Sequence, residues 1–234
     1  MKFLAFDNTW HVIILIWALL LIRAIVPRVA ALKRRRGAIF EIVDSLLVAV
    51  LLVFLLLRPF VVQAFYIPSS SMVPTLEIND RILVNKFLYF LREPQRGDIV
   101  VFVSPPQADT EQKDFIKRVV GLPGDRLAVR NGYLWRNGEK VEESFIADPM
   151  LYTFPGPPEF GEVGPNGDYK FDSGNYTFDI HKGEYTVPPG YLFVMGDNRN
   201  LSNDAHKWGP LPSQNVLGKA FCIFFPPARV KLLR

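Results

Sequence analysis

Residues Ile39–Leu57 constrain this chain more than any other stretch. They are apolar except for Glu41, Asp44 and Ser45, and Arg36 and Arg58 bound them. As a helix rising 1.5 Å per residue the run spans about 28 Å, against a bilayer hydrocarbon thickness of about 30 Å. Its acids fall in the first turns, where the interface and the positive helix end tolerate them. The run therefore predicts a transmembrane helix rather than a buried core helix. A shorter apolar run, Trp10–Val26, predicts a first membrane segment, with Arg23 reaching outward from near its end. A cleaved export signal would carry its positive charge ahead of the apolar region. Here only Lys2 precedes it, whereas Arg28 and the block Lys33-Arg34-Arg35-Arg36 follow. The positive-inside rule then puts residues 27–38 in the cytoplasm and everything after Leu57 outside. The expected division is 1–38 (a first membrane segment at about 10–26 and a basic cytoplasmic loop), 39–58 (a second transmembrane helix) and 59–234 (an extracytoplasmic domain).

Charge and cysteine use narrow the classes further. The net formal charge of +4 is mild, and a basic cluster beside a membrane segment is a topology signal, not a nucleic-acid patch. The single cysteine, Cys222, excludes an intramolecular disulfide, so an exported domain must stand on its core alone. Within the apolar run Ala220–Phe225 it reads as a small buried hydrophobe. No spacing suits metal ligands and no Gly-rich loop lies between a strand and a helix, so neither a metal nor a cofactor is expected.

The stretch 59–234 reads as mainly β and antiparallel. Arg81–Phe87, Asp98–Val103, Ile116–Val120, Arg126–Arg130, Tyr191–Met195 and Gly218–Phe225 are short, rich in Val, Ile, Leu and Phe, and bounded by turn residues. Asn131-Gly132 and Asn137-Gly138, on either side of Tyr133–Arg136, are strong hairpin signals. Residues 145–190, rich in Pro, Gly, Asp and aromatics, predict an inserted, partly irregular β subdomain.

Three polar clusters stand out against this background. Ser69-Ser70-Ser71, pinned between Pro68 and Pro74, follows the long apolar run closely and would sit just outside a membrane. A hydroxyl becomes a nucleophile only beside a base. None of the three histidines (His11, His181, His206) lies in a recognisable triad setting, and Ser-Lys pairs are a known alternative. Equally, such serines cap a strand or helix. Lys117 lies in the apolar strand around Phe115, Ile116, Val119 and Val120, and alternation sends Lys117 and Val119 to one face, Ile116 and Arg118 to the other. Lysines are almost never fully buried unless paired, so Lys117 is either a snorkelling or salt-bridged side chain or a base. The loop Gly196–Gly209 packs acids, amides, an arginine and a serine; Asp197, Arg199 and Asp204 read as a hydrogen-bonded, salt-bridged support.

Taken in order, these stretches resemble the bacterial type I signal peptidases (leader peptidases), serine endopeptidases with a Ser-Lys dyad. The resemblance spans nearly the whole chain: an N-terminal anchor, Pro-Ser-x-Ser-Met-x-Pro-Thr-Leu at Pro68–Leu76, Arg-Gly-Asp-Ile-Val-Val-Phe at Arg96–Phe102, Lys-Arg-Val-Val-Gly-x-Pro-Gly-Asp at Lys117–Asp125, and Gly-Asp-Asn-Arg-x-x-Ser-x-Asp-x-x-x-Trp-Gly at Gly196–Gly209. It implies Ser71 as nucleophile and Lys117 as general base. Ser69 would complete an oxyanion hole with the Ser71 N–H, and Ser202 would hold the lysine. Phe65, Ile67, Pro68, Met72, Phe115 and Ile116 would line shallow substrate pockets. Two pairs depart from the commoner family pattern: Asn200-Leu201 for Asp-Asn, and Ala205-His206 for Ser-Arg.

The implied enzyme is a multi-pass protein of the inner (cytoplasmic) membrane with its catalytic domain on the outer face. Through an acyl-enzyme it would remove signal peptides after A-x-A, its partners being precursor proteins and the lipid bilayer, with no nucleic acid and no metal. A free lysine, with a pKa near 10.4, is neutral in only about 4 of 10,000 molecules at pH 7. Its pKa must fall to roughly 7–8 for base catalysis, a drop that apolar burial can supply. Other readings are a repressor-type Ser-Lys autoprotease, which should carry a helix-turn-helix in place of the apolar runs, an organelle-type processing peptidase with the same chemistry, and a non-catalytic membrane-anchored β scaffold.

Overall fold

A computed structural model of the protein describes residues 9–28, 36–53, 62–157, 163–164 and 166–233. The chain divides into two compact units, residues 4–63 and a larger one from Ala64 onward.

The first unit contains two helices, α1 (Thr9–Ile25) and α2 (Arg36–Leu52), each of 17 residues. Among the described residues no helix is long and apolar enough to cross a membrane; the end of the expected second span, 54–57, lies outside them, as do Lys33, Arg34 and Arg35. Arg23 does not reach outward alone, as the sequence suggested. It pairs with Asp44 of α2 and lies over the Phe40 ring, 5.6 Å from its centroid. An acid and a base on two neighbouring apolar helices lower their desolvation cost by meeting. Ile14, Trp17 and Leu21 of α1, and Ile42 and Val48 of α2, remain exposed.

The larger unit is mainly antiparallel β. Its strands are β1 (Val62–Tyr66), β2 (Arg81–Asn85), β3 (Ile99–Val103), β4 (Asp114–Gly121), β5 (Arg126–Arg130), β6 (Tyr133–Arg136), β7 (Glu139–Lys140), β8 (Tyr169–Asp172), β9 (Thr177–His181), β10 (Glu184–Thr186), β11 (Tyr191–Met195), β12 (Leu211–Pro212), β13 (Val216–Phe225) and β14 (Lys231–Leu232). One sheet runs β1-β2-β13-β3-β4-β11-β12, with β14 on β13; the other runs β7-β6-β5-β10-β9-β8. The expected strands occur within a few residues of their predicted limits. Both Asn-Gly pairs close two-residue hairpins, pairing Arg130 with Tyr133 and Arg136 with Glu139. Asn131, Gly132, Asn137 and Gly138 all have φ between 52° and 85°, the backbone such tight turns demand. Two single-turn helices, α3 (Leu88–Leu91) and α4 (Ala205–Trp208), interrupt the strands.

Alternation along the first sheet separates two cores. Ile99, Val101 and Ile116 join Phe65, Ile67, Met72, Leu76, Ile82 and Ala220. Val100, Phe102 and Val119 join the larger cluster around Phe154, Phe178, Tyr185, Phe193 and Trp208. The register puts Val101 opposite Ile116, and Val100 opposite Lys117, so a lysine occupies a position its neighbours use for packing.

The excursion 145–190 is integrated into the second sheet. Where a partly irregular β subdomain was expected as an insertion, its described strands β8, β9 and β10 complete the sheet begun by β5–β7. Its aromatics are the reason: Phe154 meets Phe178 edge-on at 5.0 Å and Phe193 at 5.3 Å, burying large rings at favourable angles. Phe154→Ala should therefore lower the stability of the whole larger unit by about 3–5 kcal/mol. The measurement is denaturant unfolding followed by near-ultraviolet circular dichroism; an unchanged midpoint would show that the excursion folds separately.

Candidate active site

The serine turn is held from several sides. Ile67 and Asn79 bracket it, with Ile67 N–H donating to Asp80 O and Asn79 N–H to Ile67 O, both at 2.9 Å. Asp80 is in turn gripped by Arg229 at 2.8 and 3.0 Å. Met72 and Leu76, both fully buried, anchor the turn in the smaller core. The Asn198 N–H donates to Ser71 O at 3.1 Å, and Asn198 Nδ2 donates to Ser70 O at 3.2 Å. Both bonds hold the backbone and leave the Ser71 hydroxyl unobstructed.

That hydroxyl meets Lys117. From the middle of β4, Lys117 Nζ donates to Ser71 Oγ at 2.8 Å and to Ile116 O at 3.0 Å. Ser69 Oγ lies 3.4 Å from Ser71 Oγ. Lys117 is only 4% exposed, with Nζ 5.5 Å from the Phe115 ring centroid. Burial disfavours its charged form and takes its pKa from 10.5 to about 8, against the opposing pull of the Asp204 and Asp197 carboxylates. At pH 7 about one molecule in ten then carries a neutral amine, over a hundredfold more than for a free lysine.

The polar loop after β11 supports this pair. Asp197 takes Arg118 Nε at 2.8 Å and Nη2 at 2.6 Å, both side chains buried. Arg118 also stacks over Phe145, 3.9 Å from the ring centroid. Arg199 is clasped by both oxygens of Glu143 at 2.6 Å. Asp204 accepts from Gly196 N–H at 3.0 Å and lies 2.5 Å from His206 Nδ1. The His206 charge and these hydrogen bonds outweigh burial and keep its carboxyl below the ordinary range. Ser202 Oγ is buried without a hydrogen bond of ordinary geometry, although it is close enough to Asp204 to help hold that carboxyl down. Gly196 sits where no side chain fits: a Cβ there would come 2.3 Å from Ser202 Oγ and 2.4 Å from Ser71 O.

A cleft of about 280 Å³ opens over the pair, lined by Pro68, Ser69, Ser71, Asp114, Phe115, Ile116, Lys117, Leu201 and Asn203. Phe65, Ile67 and Met72, expected in its walls, lie instead in the core cluster that Ile116 shares, with at most 1% exposure. Asp114, Leu201 and Asn203 line the cleft and were missed in the sequence, as were the partners Glu143, Phe145 and His206. Glu143 and Phe145 carry no local signal, since they reach the site from a distant segment, whereas Asp114 lies on β4 itself and Leu201, Asn203 and His206 belong to the loop from Gly196. Among the described residues no group of acids, histidines and cysteines is arranged to hold a metal ion.

The family model described as "Signal peptidase, peptidase S26" matches residues 39–225. The chain belongs to this family. It is accordingly a hydrolase of the serine peptidase kind. Among similar proteins, a probable signal peptidase I-1 of Synechocystis sp. is 42% identical over 188 residues, 79% of this chain and 82% of that one. Signal peptidase I of Pseudomonas aeruginosa is 37% identical over 208 residues, covering 75% and 69% of the two chains. A crystal structure of a signal peptidase I from Enterococcus faecalis V583 is similar at 29% identity and a TM-score of 0.36, over 55% of this chain and 97% of that one.

Gly196→Ala tests the packing of the site. Displacing the Ser71 carbonyl by even a fraction of an ångström should cut peptidase turnover by about a hundredfold, with far-ultraviolet circular dichroism unchanged. Turnover equal to the parent would mean that the loop and the serine turn are not coupled.

Proposed function

We propose that this protein removes signal peptides from exported precursors, with Ser71 as nucleophile and Lys117 as general base. The observation that carries the reading is the 2.8 Å approach of Lys117 Nζ to Ser71 Oγ, made by an amine that burial has moved toward neutrality. Neutral Lys117 takes the hydroxyl proton as Ser71 Oγ attacks the scissile carbonyl carbon. The oxyanion then gathers donors from Ser69 Oγ–H and the Ser71 N–H. That N–H donates no hydrogen bond among the described residues, so it is available, and one such donor is typically worth about 3–4 kcal/mol. The lysine ammonium next protonates the leaving amine, leaving a Ser71 ester. A water that returns its proton to Lys117 hydrolyses this ester, and Ser71 regains its hydrogen. Ser202, buried beside Gly196, makes no hydrogen bond to Lys117 in this structure, so a role in holding the lysine would need its hydroxyl to turn toward the amine during the cycle.

Substrate would enter as an extended strand. β11 pairs with β4 only at residues 118–121, so the edge of Asp114–Lys117 away from β3 is open toward the cleft, suited to strand addition. Pro68, Phe115 and Ile116 leave room for small side chains, in keeping with cleavage after A-x-A. The apolar faces of α1 and α2, and the basic block between them, support membrane anchoring with the larger unit on the outer side.

Ser71→Ala and Lys117→Ala should each abolish cleavage of a secretory precursor, and the double variant should be no worse, because the two act as one unit. The parent rate should rise with pH through an apparent pKa near 8, since the protonated lysine that dominates below it cannot act as a base. Ser202→Ala should be milder. Phe in place of Ala at the first or third position before the scissile bond should suppress turnover. Full activity in either single variant would refute the dyad.

Orientation is checked by adding a protease to intact spheroplasts. Cleavage within residues 145–190 without lysis is the expected result; cleavage only after lysis would reverse the assigned topology.

A further inference from the structure

Three contacts in series join His206 to the nucleophile. His206 Nδ1 lies 2.5 Å from Asp204 Oδ1, and the His206 N–H donates to the same oxygen at 3.3 Å, capping α4. The other oxygen, Asp204 Oδ2, accepts from Gly196 N–H at 3.0 Å. Gly196 is packed against the Ser71 carbonyl so closely that it leaves no space for a Cβ. The Asp204 carboxylate is completely buried, and among the charges that favour a protonated Lys117 it is the largest. Whatever neutralises Asp204 therefore bears on the base.

The other charges around this pair are already matched. Asp197 is bonded to Arg118, and Arg199 to Glu143. Tyr152, from the segment after β7, stacks on the imidazole with ring centroids 4.3 Å apart and planes 12° apart, and burial and the Asp204 charge hold its phenol in the neutral form. Neighbouring Lys207 is exposed. The imidazole side chain is 11% exposed, so protons reach it. Of these groups it is the one whose residue type changes charge around neutral pH.

We propose that His206 is a positioning residue for the base: acting through the Asp204 carboxylate, its imidazole sets how strongly Lys117 holds its proton. This rests on the Ser71–Lys117 reading of the site. The direction follows from charge alone. With His206 protonated, the Asp204–His206 pair is neutral overall, and Lys117 gives up its proton more readily. With His206 neutral, the carboxylate charge falls on Lys117 and stabilises the ammonium. The activity gained as pH rises is thereby partly offset, which broadens the acid limb.

The test follows the Lys117 amine directly, by NMR titration of lysine-labelled full-length protein in detergent, in the Ser71→Ala background. This readout needs no catalysis, so it stays interpretable if the proposed reaction fails; the dyad variants above judge that reaction separately. His206→Asn keeps a donor to Asp204 but no charge, and should raise the Lys117 midpoint by about half a pH unit, a threefold change in its proton affinity. His206→Arg makes the charge permanent and should hold the midpoint at or below the parent value. In the parent chain the Lys117 curve should carry a second inflection where the imidazole titrates, as coupled sites do. The same order, Asn above parent above or equal to Arg, should appear in the acid limb of kcat/KM of the Ser71-containing enzymes. A parent curve with a single inflection would overturn the proposal. Asn and Arg variants that shift the midpoint equally would overturn it too, because a structural defect would not distinguish charge.

Discussion

An amine buried against a hydroxyl with no carboxylate bonded to it is the constraint around which this site is arranged. An ion pair is the usual way to bury a lysine, yet a carboxylate bonded to Lys117 would raise its pKa and defeat the base role proposed for it. Two acids nevertheless lie near enough to influence it, Asp197 and Asp204. Each is engaged by another side chain: Arg118 takes Asp197 through two bonds, and the His206 imidazole lies against Asp204. The acids thus keep their structural bonds to the loop after β11 while much of their charge is directed away from the amine. Burial then dominates, and Lys117 comes down to about 8.

The excursion between β7 and β11 has a part in the same arrangement. Glu143 neutralises Arg199, and Phe145 covers the Arg118 guanidinium at 3.9 Å. Without these, two buried guanidiniums would lack part of their partners, and an unmatched buried charge is among the costliest defects a core can hold. The excursion is also fused to the catalytic sheet through the ring cluster around Phe154. Support for the site and closure of the second sheet are therefore one packing problem, solved by one segment.

Much of this was legible in the sequence, for identifiable reasons. Strands such as Arg126–Arg130 and Tyr191–Met195 announce themselves through β-branched and aromatic runs ended by turn residues, and the two Asn-Gly pairs need positive φ. The serine turn, Lys117 and the loop from Gly196 are recognisable because their residue types are locally unusual. What stayed hidden was tertiary. Glu143 reaches Arg199 across 56 residues and Arg118 reaches Asp197 across 79, distances over which pattern carries no pairing information. Strands β8–β10 were obscured because their stretch is broken by Gly, Pro and Asp, and its burial is carried by aromatic rings instead of an alternating aliphatic pattern. Phe65, Ile67 and Met72 were expected at the cleft surface but lie in the core, since adjacency to a reactive serine does not decide which way a side chain turns. Arg23 and Asp44 sit on different helices, so their pairing is likewise invisible from either run alone.

The cleft geometry also bears on how one site could accept many polypeptides. A pocket that read side chains by hydrogen bonds would reject any chain lacking them. Here the open edge of β4 offers backbone donors and acceptors, which every extended polypeptide matches regardless of sequence. Pro68, Phe115 and Ile116 add walls that, on the proposed reading, would discriminate by size. Steric exclusion beside the serine, combined with sequence-blind backbone pairing, would on that reading restrict the residues at the cut and leave the rest of the substrate free to vary. That division of labour would suit the proposed removal of signal peptides, whose precursors would share a short processing signal and little else.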